Sequence, residues 1–182
     1  MGGQRAREVL VRDYVRPFPG AKILDIGCGP ANMLEFLPEG RYIGFDASEA
    51  YIGEAQKRWG SRGEFTCATV NAQNLPERDF DIVMAIGVLH HLDDDEAHEL
   101  FTLAHEALRP GGRLITFDGV YVDKQSPIAR FIISKDRGEY VRRLDEYEAL
   151  AQREFRDVRA TVLHDLLAPM PYTHLIMECA RS

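Results

Sequence analysis

Short apolar runs alternate with segments of helical periodicity along the chain. The apolar runs predict seven strands, at residues 22–26, 41–45, 64–68, 81–85, 113–118, 158–164 and 172–180. Between them, apolar residues recur every three or four positions, which predicts amphipathic helices over 5–15, 33–37, 48–59, 94–108 and 145–154. Strands that alternate with helices are typical of a largely parallel sheet built from βαβ units.

The final two predicted strands are joined by a short connection, residues 166–171. Because a crossover between parallel strands needs about a dozen residues or more, this connection predicts a hairpin and an antiparallel last strand. The predicted fold is therefore α/β, a doubly wound, mostly parallel seven-stranded sheet with an antiparallel last strand and helices on both faces. Residues 121–143 break the alternation, and we interpret them as an irregular or short-helical insertion on the substrate side.

Length and composition suit one domain, 1–182. The 182 residues are 45% hydrophobic, enough to bury a core. The formal net charge of -7 argues against a nucleic-acid partner, because polyanions are bound mainly by Lys and Arg. No apolar stretch approaches the roughly 20 residues of a membrane span and the N-terminus has no signal-peptide pattern, so we expect no membrane contact and a cytoplasmic location.

The cysteines and histidines do not form a pattern of metal ligands. Cys28, Cys67 and Cys179 are far apart and include no CxxC pair. His90 and His91 are adjacent, and neighbouring side chains on a helix or strand point apart. The sequence therefore predicts neither a disulfide framework nor a metal site.

A glycine-rich turn follows the first predicted strand in KILDIGCGPAN, residues 22–32. Glycine at 27 and 29 allows a tight turn and lets the backbone approach a ligand closely. Open α/β sheets bind ligands at the carboxyl ends of their strands. The dinucleotide fingerprint would need glycine where Asn32 stands, and no GK[ST] follows for a P-loop. The turn therefore predicts a site for a ligand of another kind.

Two acidic residues indicate the charge of that ligand. Asp25 precedes the first glycine, where a carboxylate would repel a pyrophosphate but suits an ammonium group. S-adenosylmethionine has such a group and no phosphate. Asp46 ends the second strand about twenty residues past the turn, the spacing at which a carboxylate meets ribose hydroxyls. Alternatively, Asp46 is an acid at the N-terminus of the helix that Ser48 caps.

Four segments, taken in order, resemble the class I (Rossmann-like) S-adenosylmethionine-dependent methyltransferase family. They are LDIGCGPA at 24–31, GFDAS at 44–48, FDIVMAIGVLHHL at 80–92 and LRPGGRLI at 108–115. The resemblance extends over essentially the whole chain. It implies a methyltransferase fold, S-adenosylmethionine as cofactor and S-adenosylhomocysteine as product.

The resemblance also implies which residues hold the methionine end of the cofactor. Asp25, Gly27 and Gly29 would do so, with Asp25 acting partly through water. Gly87, just past the fourth strand, would contact the methionine amine through its backbone.

The nucleoside end is assigned by the same resemblance. Asp46, with Ala47 beside it, would bind the ribose hydroxyls. Asn71 and Ala72 occupy the place where the family usually presents an acid and a small residue to the adenine. The amide oxygen of Asn71 can still accept a hydrogen bond from the adenine amine.

Methyl transfer needs alignment above all, because the cofactor brings its own leaving group. A hydroxyl acceptor would add a need for a general base. The candidates at strand ends are His90, His91 and Asp118, with Tyr172 and His174 in the last hairpin as a second group. The alternatives are structural roles for the histidines, and acceptor binding or turn capping for Asp118.

The acceptor itself is the least determined part of the prediction. Arg137 and Tyr140 lie in the DRGEYVRR run at 136–143, where arginine can clamp an anionic acceptor or simply form local ion pairs. The chain has no [DN]PP[YF] after the fourth strand and no paired carboxylates at metal spacing. A small molecule, such as a sugar or another metabolite, is therefore the favoured acceptor, methylated on oxygen or nitrogen by a monomer or homodimer.

Three other functions are compatible with parts of the pattern. An RNA or protein methyltransferase would share the cofactor motifs, although the acidic composition argues against nucleic acid. A catalytically inactive partner protein would bind the cofactor and keep Asp25, Gly27 and Asp46. A nicotinamide oxidoreductase fits least, because the glycine at the sixth position of its fingerprint is missing.

Overall fold

The computed structural model describes residues 2–135, 138–164, 166 and 170–182. Its strands are β1 (Lys22–Ile26), β2 (Arg41–Asp46), β3 (Glu64–Cys67), β4 (Phe80–Ile86), β5 (Leu108–Gly119), β6 (Asp157–His164) and β7 (Thr173–Ala180). Its α-helices are α1 (Gly2–Val9), α2 (Glu49–Trp59), α3 (Asp94–Ala107), α4 (Pro127–Ile133) and α5 (Leu144–Ala151). α1 continues as a π-helix at Leu10–Val15, and 3-10 helices occupy Asn32–Glu35 and Leu89–His91.

The seven strands of the described ranges form one sheet in the order β3-β2-β1-β4-β5-β7-β6. Neighbouring strands are parallel except at β7, which is antiparallel to both β5 and β6. The predicted fold class is therefore confirmed, including the antiparallel last strand. β7 lies between β5 and β6, a position that the predicted hairpin did not specify. The strand order switches direction between β1 and β4, where open α/β sheets bind their ligands.

Helices cover both faces of this sheet. On one face, α3 and α5 bury Phe101 and Tyr147 in a cluster with the strands. On the other face, the π-helical segment and α2 bury Leu10 and Ala55. β4 is covered on both sides, because every residue from Ile82 to Ala85 is 0% exposed. In the described ranges, no helix combines the length and the apolar character that a membrane crossing requires.

The structure corrects several predicted boundaries. The helix predicted over 33–37 is a single 3-10 helix, Asn32–Glu35, that follows Ala31 in a left-handed conformation with φ of 53°. The strand predicted at 113–118 is longer in the structure, because β5 begins at Leu108 opposite Phe80 and shifts its register before Arg113. In the part of the insertion that the structure describes, residues 121–135 and 138–143, there is one regular helix, α4.

α3 begins with a reciprocal pair of hydrogen bonds directly after the Leu89–His91 helix. The Asp93 carboxylate accepts from the backbone N–H groups of Asp95 and Glu96, and the Glu96 carboxylate accepts from the backbone N–H of Asp93. These bonds satisfy N–H groups that have no partner within the helix. They therefore determine where α3 starts and where the preceding turn must end.

Asp93→Ala should lower the free energy of unfolding by about 1 kcal/mol, because it removes the acceptor of both capping bonds. Chemical denaturation measures the change. Glu99→Ala, at an exposed position on the same helix, is the matched control and should change the stability by less than about 0.5 kcal/mol. Equal losses in the two variants would show that the cap does not stabilise α3.

Candidate active site

The glycine turn after β1 is held against the end of β2. Gly27 and Cys28 donate their backbone N–H groups to the carbonyl oxygen of Phe45, at 2.8 and 2.9 Å. Gly27 and Gly29 have φ values of 70° and 54°, which favour glycine. A Cβ on Gly27 would lie only 2.6 Å from Cγ2 of Val88. Backbone conformation and close packing therefore both require glycine at position 27.

Asp25 is a buried carboxyl group on the wall of a cavity of about 250 Å³ that the glycine turn also lines. Its Oδ2 accepts a hydrogen bond from the Tyr42 hydroxyl at 2.5 Å, whereas Oδ1 has no hydrogen-bond partner among the described residues. Burial raises the pKa of Asp25 to about 7; the Tyr42 bond opposes this rise and the charge of Asp46 adds to it. A buried, partly satisfied carboxyl group of this kind suits a cationic ligand.

The raised pKa of Asp25 couples folding to pH. The folded protein binds the proton of Asp25 more tightly than the unfolded chain does. The contribution of this proton to the free energy of unfolding is therefore complete below the ordinary pKa of 3.8 and is lost as the pH rises through about 7. Asp25→Asn should therefore raise the free energy of unfolding at pH 8, by up to about 4 kcal/mol, and the gain should shrink toward pH 5.

Denaturant unfolding of both proteins at several pH values measures this difference. Glu54→Gln is the matched control, because Glu54 is exposed on α2 and its neutralisation should leave the pH dependence unchanged. A variant that gains nothing at pH 8 would contradict the raised pKa of Asp25.

Asp46 connects the glycine turn with the start of α2. Its Oδ2 accepts from the backbone N–H of Gly29 at 2.9 Å, and its Oδ1 accepts from that of Ser48 at 2.8 Å. Ser48 caps α2 through the backbone N–H of Tyr51. Asp46 therefore does organise the helix start, and each of its oxygens keeps a further lone pair for a ligand. Ala47 is exposed beside it.

The loop after β3 exposes Asn71 and Ala72. The Asn71 amide oxygen accepts from the backbone N–H groups of Gln73 and Asn74, at 2.9 and 3.1 Å. Both acceptor positions of this oxygen are therefore engaged in the loop itself. A hydrogen bond from an adenine amine would have to displace one of them, and the adenine contact stays a prediction.

The ends of β4 and β5 bring His90 and Asp118 together. Asp118 Oδ1 lies 2.8 Å from His90 Nδ1 and also accepts the backbone N–H of His90 at 3.2 Å. Both residues are buried, and Asp118 Oδ2 has no hydrogen-bond partner among the described residues. Nδ1 is therefore the ring nitrogen that the carboxylate holds, and this contact orients the imidazole.

A second cavity, of about 490 Å³, opens beside this pair. Its walls come from the ends of β4, β5 and β7 and from α4, and they include His90, Phe117, Asp118, Phe131, Tyr172 and His174. The insertion after β5 thus contributes one wall through α4. A cavity of this size suits a small ligand.

The two cavities adjoin at Phe117. This residue lines both, and Ile86 of the smaller cavity is followed directly by Gly87 of the larger one. Gly87 has φ of 74° and donates its backbone N–H to the carbonyl oxygen of Phe117 at 2.7 Å. Phe117 therefore forms a wall shared by the two cavities at the carboxyl edge of the sheet.

Residues 138–142, which we call the strap, lie across the 3-10 helix that carries His90. The guanidinium group of Arg142 donates to the carbonyl oxygens of Leu89 and Leu92, at 3.0 and 2.7 Å. Arg142 is only 7% exposed, so these bonds are shielded from water. The strap therefore fixes the backbone on both sides of His90.

Gly138→Ala should displace the His90 ring, because a Cβ at this position would overlap the ring at Cδ2 and lie 2.6 Å from the His90 carbonyl oxygen. We expect the free energy of unfolding to fall by about 1–3 kcal/mol. Gly53→Ala is the matched control, since a Cβ at Gly53 meets no atom within 4 Å and should stabilise α2 by up to about 1 kcal/mol. Urea denaturation measures the stability of both variants. An unchanged free energy of unfolding in Gly138→Ala would contradict the packing of the strap against His90.

Other predicted site residues lie away from this centre. The His91 ring centroid is 4.2 Å from that of His90, but His91 is exposed and outside the lining of the larger cavity. The Tyr140 side chain is also outside that lining and the residue is 42% exposed, although its backbone N–H donates to the His90 carbonyl oxygen at 3.0 Å. Arg137 lies outside the described residues.

Two residues of the site were missed in the sequence, and Arg142 has contacts that the sequence did not predict. Tyr42 and Phe117 each carry a usable signal, because Tyr42 lies in the strand predicted beside the glycine turn and Phe117 precedes Asp118 at a strand end. Arg142 lies in the DRGEYVRR run, but its partners, the backbone carbonyls of Leu89 and Leu92 and the carboxylate of Asp94, lie about fifty residues earlier in the chain. The anion clamp expected of this arginine-rich run therefore does not describe Arg142.

The geometry defines a doubly wound α/β protein with two adjoining cavities at the carboxyl edge of its sheet. Residues 23–112 match the family described as methyltransferase domain. The chain is 31% identical over 157 residues to a ubiquinone biosynthesis O-methyltransferase of Rhizobium johnstonii, covering 82% of this chain and 62% of the relative. It is 29% identical over 150 residues to phosphoethanolamine N-methyltransferase 1 of Arabidopsis thaliana, covering 78% of this chain and 30% of the relative.

A solved structure supports the same fold. Phosphoethanolamine N-methyltransferase 2 of Haemonchus contortus, in complex with phosphomonomethylethanolamine and S-adenosylhomocysteine, superposes with a TM-score of 0.72 at 18% identity, covering 98% of this chain and 52% of that one. The chain belongs to the class I S-adenosylmethionine-dependent methyltransferase family, whose cofactor is S-adenosylmethionine. It spans less than two thirds of the length of either curated relative, 62% and 30%.

Proposed function

We propose that this protein transfers a methyl group from S-adenosylmethionine to a hydroxyl oxygen of a small-molecule acceptor, with His90 as the general base. The observation that carries the proposal is the junction of the two cavities at Phe117. One cavity presents Asp25 and the glycine turn, and the other presents the His90–Asp118 pair. A methyl donor in the first and an acceptor in the second would meet at this junction.

The residues of the smaller cavity fit the cofactor. Asp25 offers a buried carboxylate oxygen to its ammonium-bearing end, beside the turn formed by Gly27 and Gly29. Outside the lining of the smaller cavity, Gly87 of the larger cavity would contact the amine through its backbone, and Asp46 keeps lone pairs for the ribose hydroxyls. When bound, S-adenosylmethionine supplies a methyl group on a positively charged sulfur and is left as the neutral thioether S-adenosylhomocysteine.

The contribution of the chain to the chemistry lies at His90. Asp118 orients the ring through Nδ1, 2.8 Å from its Oδ1, so that Nε2 takes the hydroxyl proton. The same carboxylate stabilises the imidazolium that results. Because an amine acceptor needs less help from a base, a buried histidine–carboxylate pair favours oxygen over nitrogen as the methylated atom.

The size and charge of the larger cavity favour a small molecule over a nucleic acid or a protein. Its volume of about 490 Å³ suits a ligand of metabolite size, and α4 forms one of its walls. Lys135 is the one lysine or arginine among the described residues of the lining, whereas a polyanion would need several such cations. Acceptor contacts of Arg137 and Tyr140 and a cytoplasmic location stay predictions.

Calorimetric titration with S-adenosylmethionine, with NAD as the negative control, tests the binding half of the proposal. Asp46→Ala should weaken the binding about 10- to 100-fold, because it removes charge-assisted hydrogen bonds to the ribose. Ser48→Ala is the matched control: it removes the cap of α2 and leaves the carboxylate in place, so the affinity should stay close to that of the wild type.

Release of S-adenosylhomocysteine from a mixture of candidate acceptors tests the catalytic half. His90→Gln should keep the cofactor affinity and lower turnover by about 10²- to 10⁴-fold, the usual contribution of a general base. Binding of NAD in preference to S-adenosylmethionine would overturn the cofactor assignment. A His90→Gln variant with full turnover would overturn the assignment of the base.

A further inference from the structure

Resting on the proposed function, we propose that the acceptor is an aromatic alcohol, a planar ring with a hydroxyl group bonded directly to it. The ring lies against the aromatic wall, by which we mean Phe117, His174 and Tyr172. Its hydroxyl points to His90.

The aromatic wall is a continuous set of rings on the larger cavity. Phe117 of β5 and His174 of β7 stack with centroids 4.4 Å apart and planes inclined by 12°. The ring of Tyr172 has its centroid 4.5 Å from that of His174, at an inclination of 32°. Because β5 and β7 are neighbouring strands, the spacing of these rings is fixed by the sheet. Flat rings of this kind recognise another flat ring through offset or edge contacts.

Gly119 makes room for the aromatic wall. A Cβ at this position would lie 2.5 Å from the Tyr172 hydroxyl oxygen and 3.2 Å from two of its ring carbons. The φ of Gly119 is not in the positive range, so the backbone conformation does not require glycine here. The close approach of the Tyr172 ring does require it. Glycine at 119 therefore allows the Tyr172 ring to pack against the carboxyl end of β5.

The remaining lining argues against a sugar. Among the described residues, α4 adds Phe131 and Ile132 to the cavity, and Met170 adds a further apolar side chain. A sugar would bring several hydroxyl groups into this surface, and a buried hydroxyl without a partner is costly. An aromatic alcohol places its ring against these apolar side chains and brings one hydroxyl group to the His90–Asp118 pair.

Acidity points to the same class of acceptor. An imidazole of ordinary basicity has a conjugate acid with a pKa of about 6.5, whereas a phenolic hydroxyl has a pKa of about 10 and the pKa of water is far higher still. The equilibrium constant for proton transfer from a phenol to imidazole is therefore unfavourable by about three to four powers of ten. Proton transfer to imidazole from a hydroxyl as weakly acidic as water is far more unfavourable than that. A histidine base assists the first reaction far more effectively.

The step balances with the groups already named. The acceptor oxygen forms the new bond to the methyl carbon, and its proton goes to Nε2 of His90. The electron pair of the broken carbon–sulfur bond stays with sulfur, whose positive charge it neutralises. The proton leaves His90 for solvent when the methylated product is released.

The test compares matched acceptors with the purified protein. A panel of substituted phenols, the cyclohexanols with the same substituents and a methyl glycoside are each supplied with S-adenosylmethionine, and S-adenosylhomocysteine is measured. Binding of the same compounds to the complex of protein and S-adenosylhomocysteine is measured by calorimetry, which does not depend on turnover. At least one phenol should bind about tenfold or more tightly than its cyclohexanol partner and should be methylated faster.

A variant of the aromatic wall separates ring recognition from general folding. Tyr172→Leu should weaken phenol binding by about 2- to 10-fold and leave the affinity for S-adenosylhomocysteine unchanged. Tyr51→Leu, on the exposed surface of α2, is the matched control and should change neither affinity.

The outcomes distinguish this inference from the function on which it rests. A protein that does not bind S-adenosylmethionine refutes the proposed function. A protein that binds it but methylates cyclohexanols or the glycoside as readily as phenols overturns the aromatic acceptor alone. The aromatic acceptor is also overturned if no phenol of the panel binds the complex with S-adenosylhomocysteine.

Discussion

β4 pairs in parallel with β1 on one side and with β5 on the other, and the site depends on this arrangement. Asp25, Gly87 and Asp118 are far apart in the sequence, yet they meet because parallel strands end at the same edge of a sheet. β4 can occupy this central place because both of its faces are apolar and covered by helices. The geometry of the site is therefore set by burial of β4 more than by contacts within the site.

Burial of the two site carboxyl groups opposes folding. Asp25 Oδ1 and Asp118 Oδ2 are both buried without a hydrogen-bond partner among the described residues. An unsatisfied buried polar group costs about 1–3 kcal/mol, a large part of a net stability of about 5–15 kcal/mol. The apolar packing around β4 must offset this cost. A cationic ligand at Asp25 would recover part of it, which links cofactor binding to stability.

The parts of the molecule that could be predicted are those that short segments determine. β1 and β4 are apolar runs, and Asp25 and Gly27 lie within one turn of each other. The contact of His90 with Asp118 could not be predicted, although each residue was a candidate, because it depends on the register of β4 against β5 and on the 3-10 helix after β4. The start of β5 at Leu108 was missed because Pro110, Gly111 and Gly112 are residues typical of turns, whereas in the structure they lie within β5, beside β4.

Arg142 illustrates how a pattern of charge differs from a binding site. A guanidinium group has five donors in a fixed plane, and those that point at backbone carbonyls cannot also hold a carboxylate of the acceptor. In Arg142 they point at the backbone before and after His90 and at the Asp94 carboxylate, so the guanidinium group serves to position the histidine. An anionic group on an acceptor would instead meet Lys135 on the cavity lining. Under the proposed mechanism, the aromatic wall and the His90–Asp118 pair select the acceptor. Arg142 affects this selection only by positioning His90.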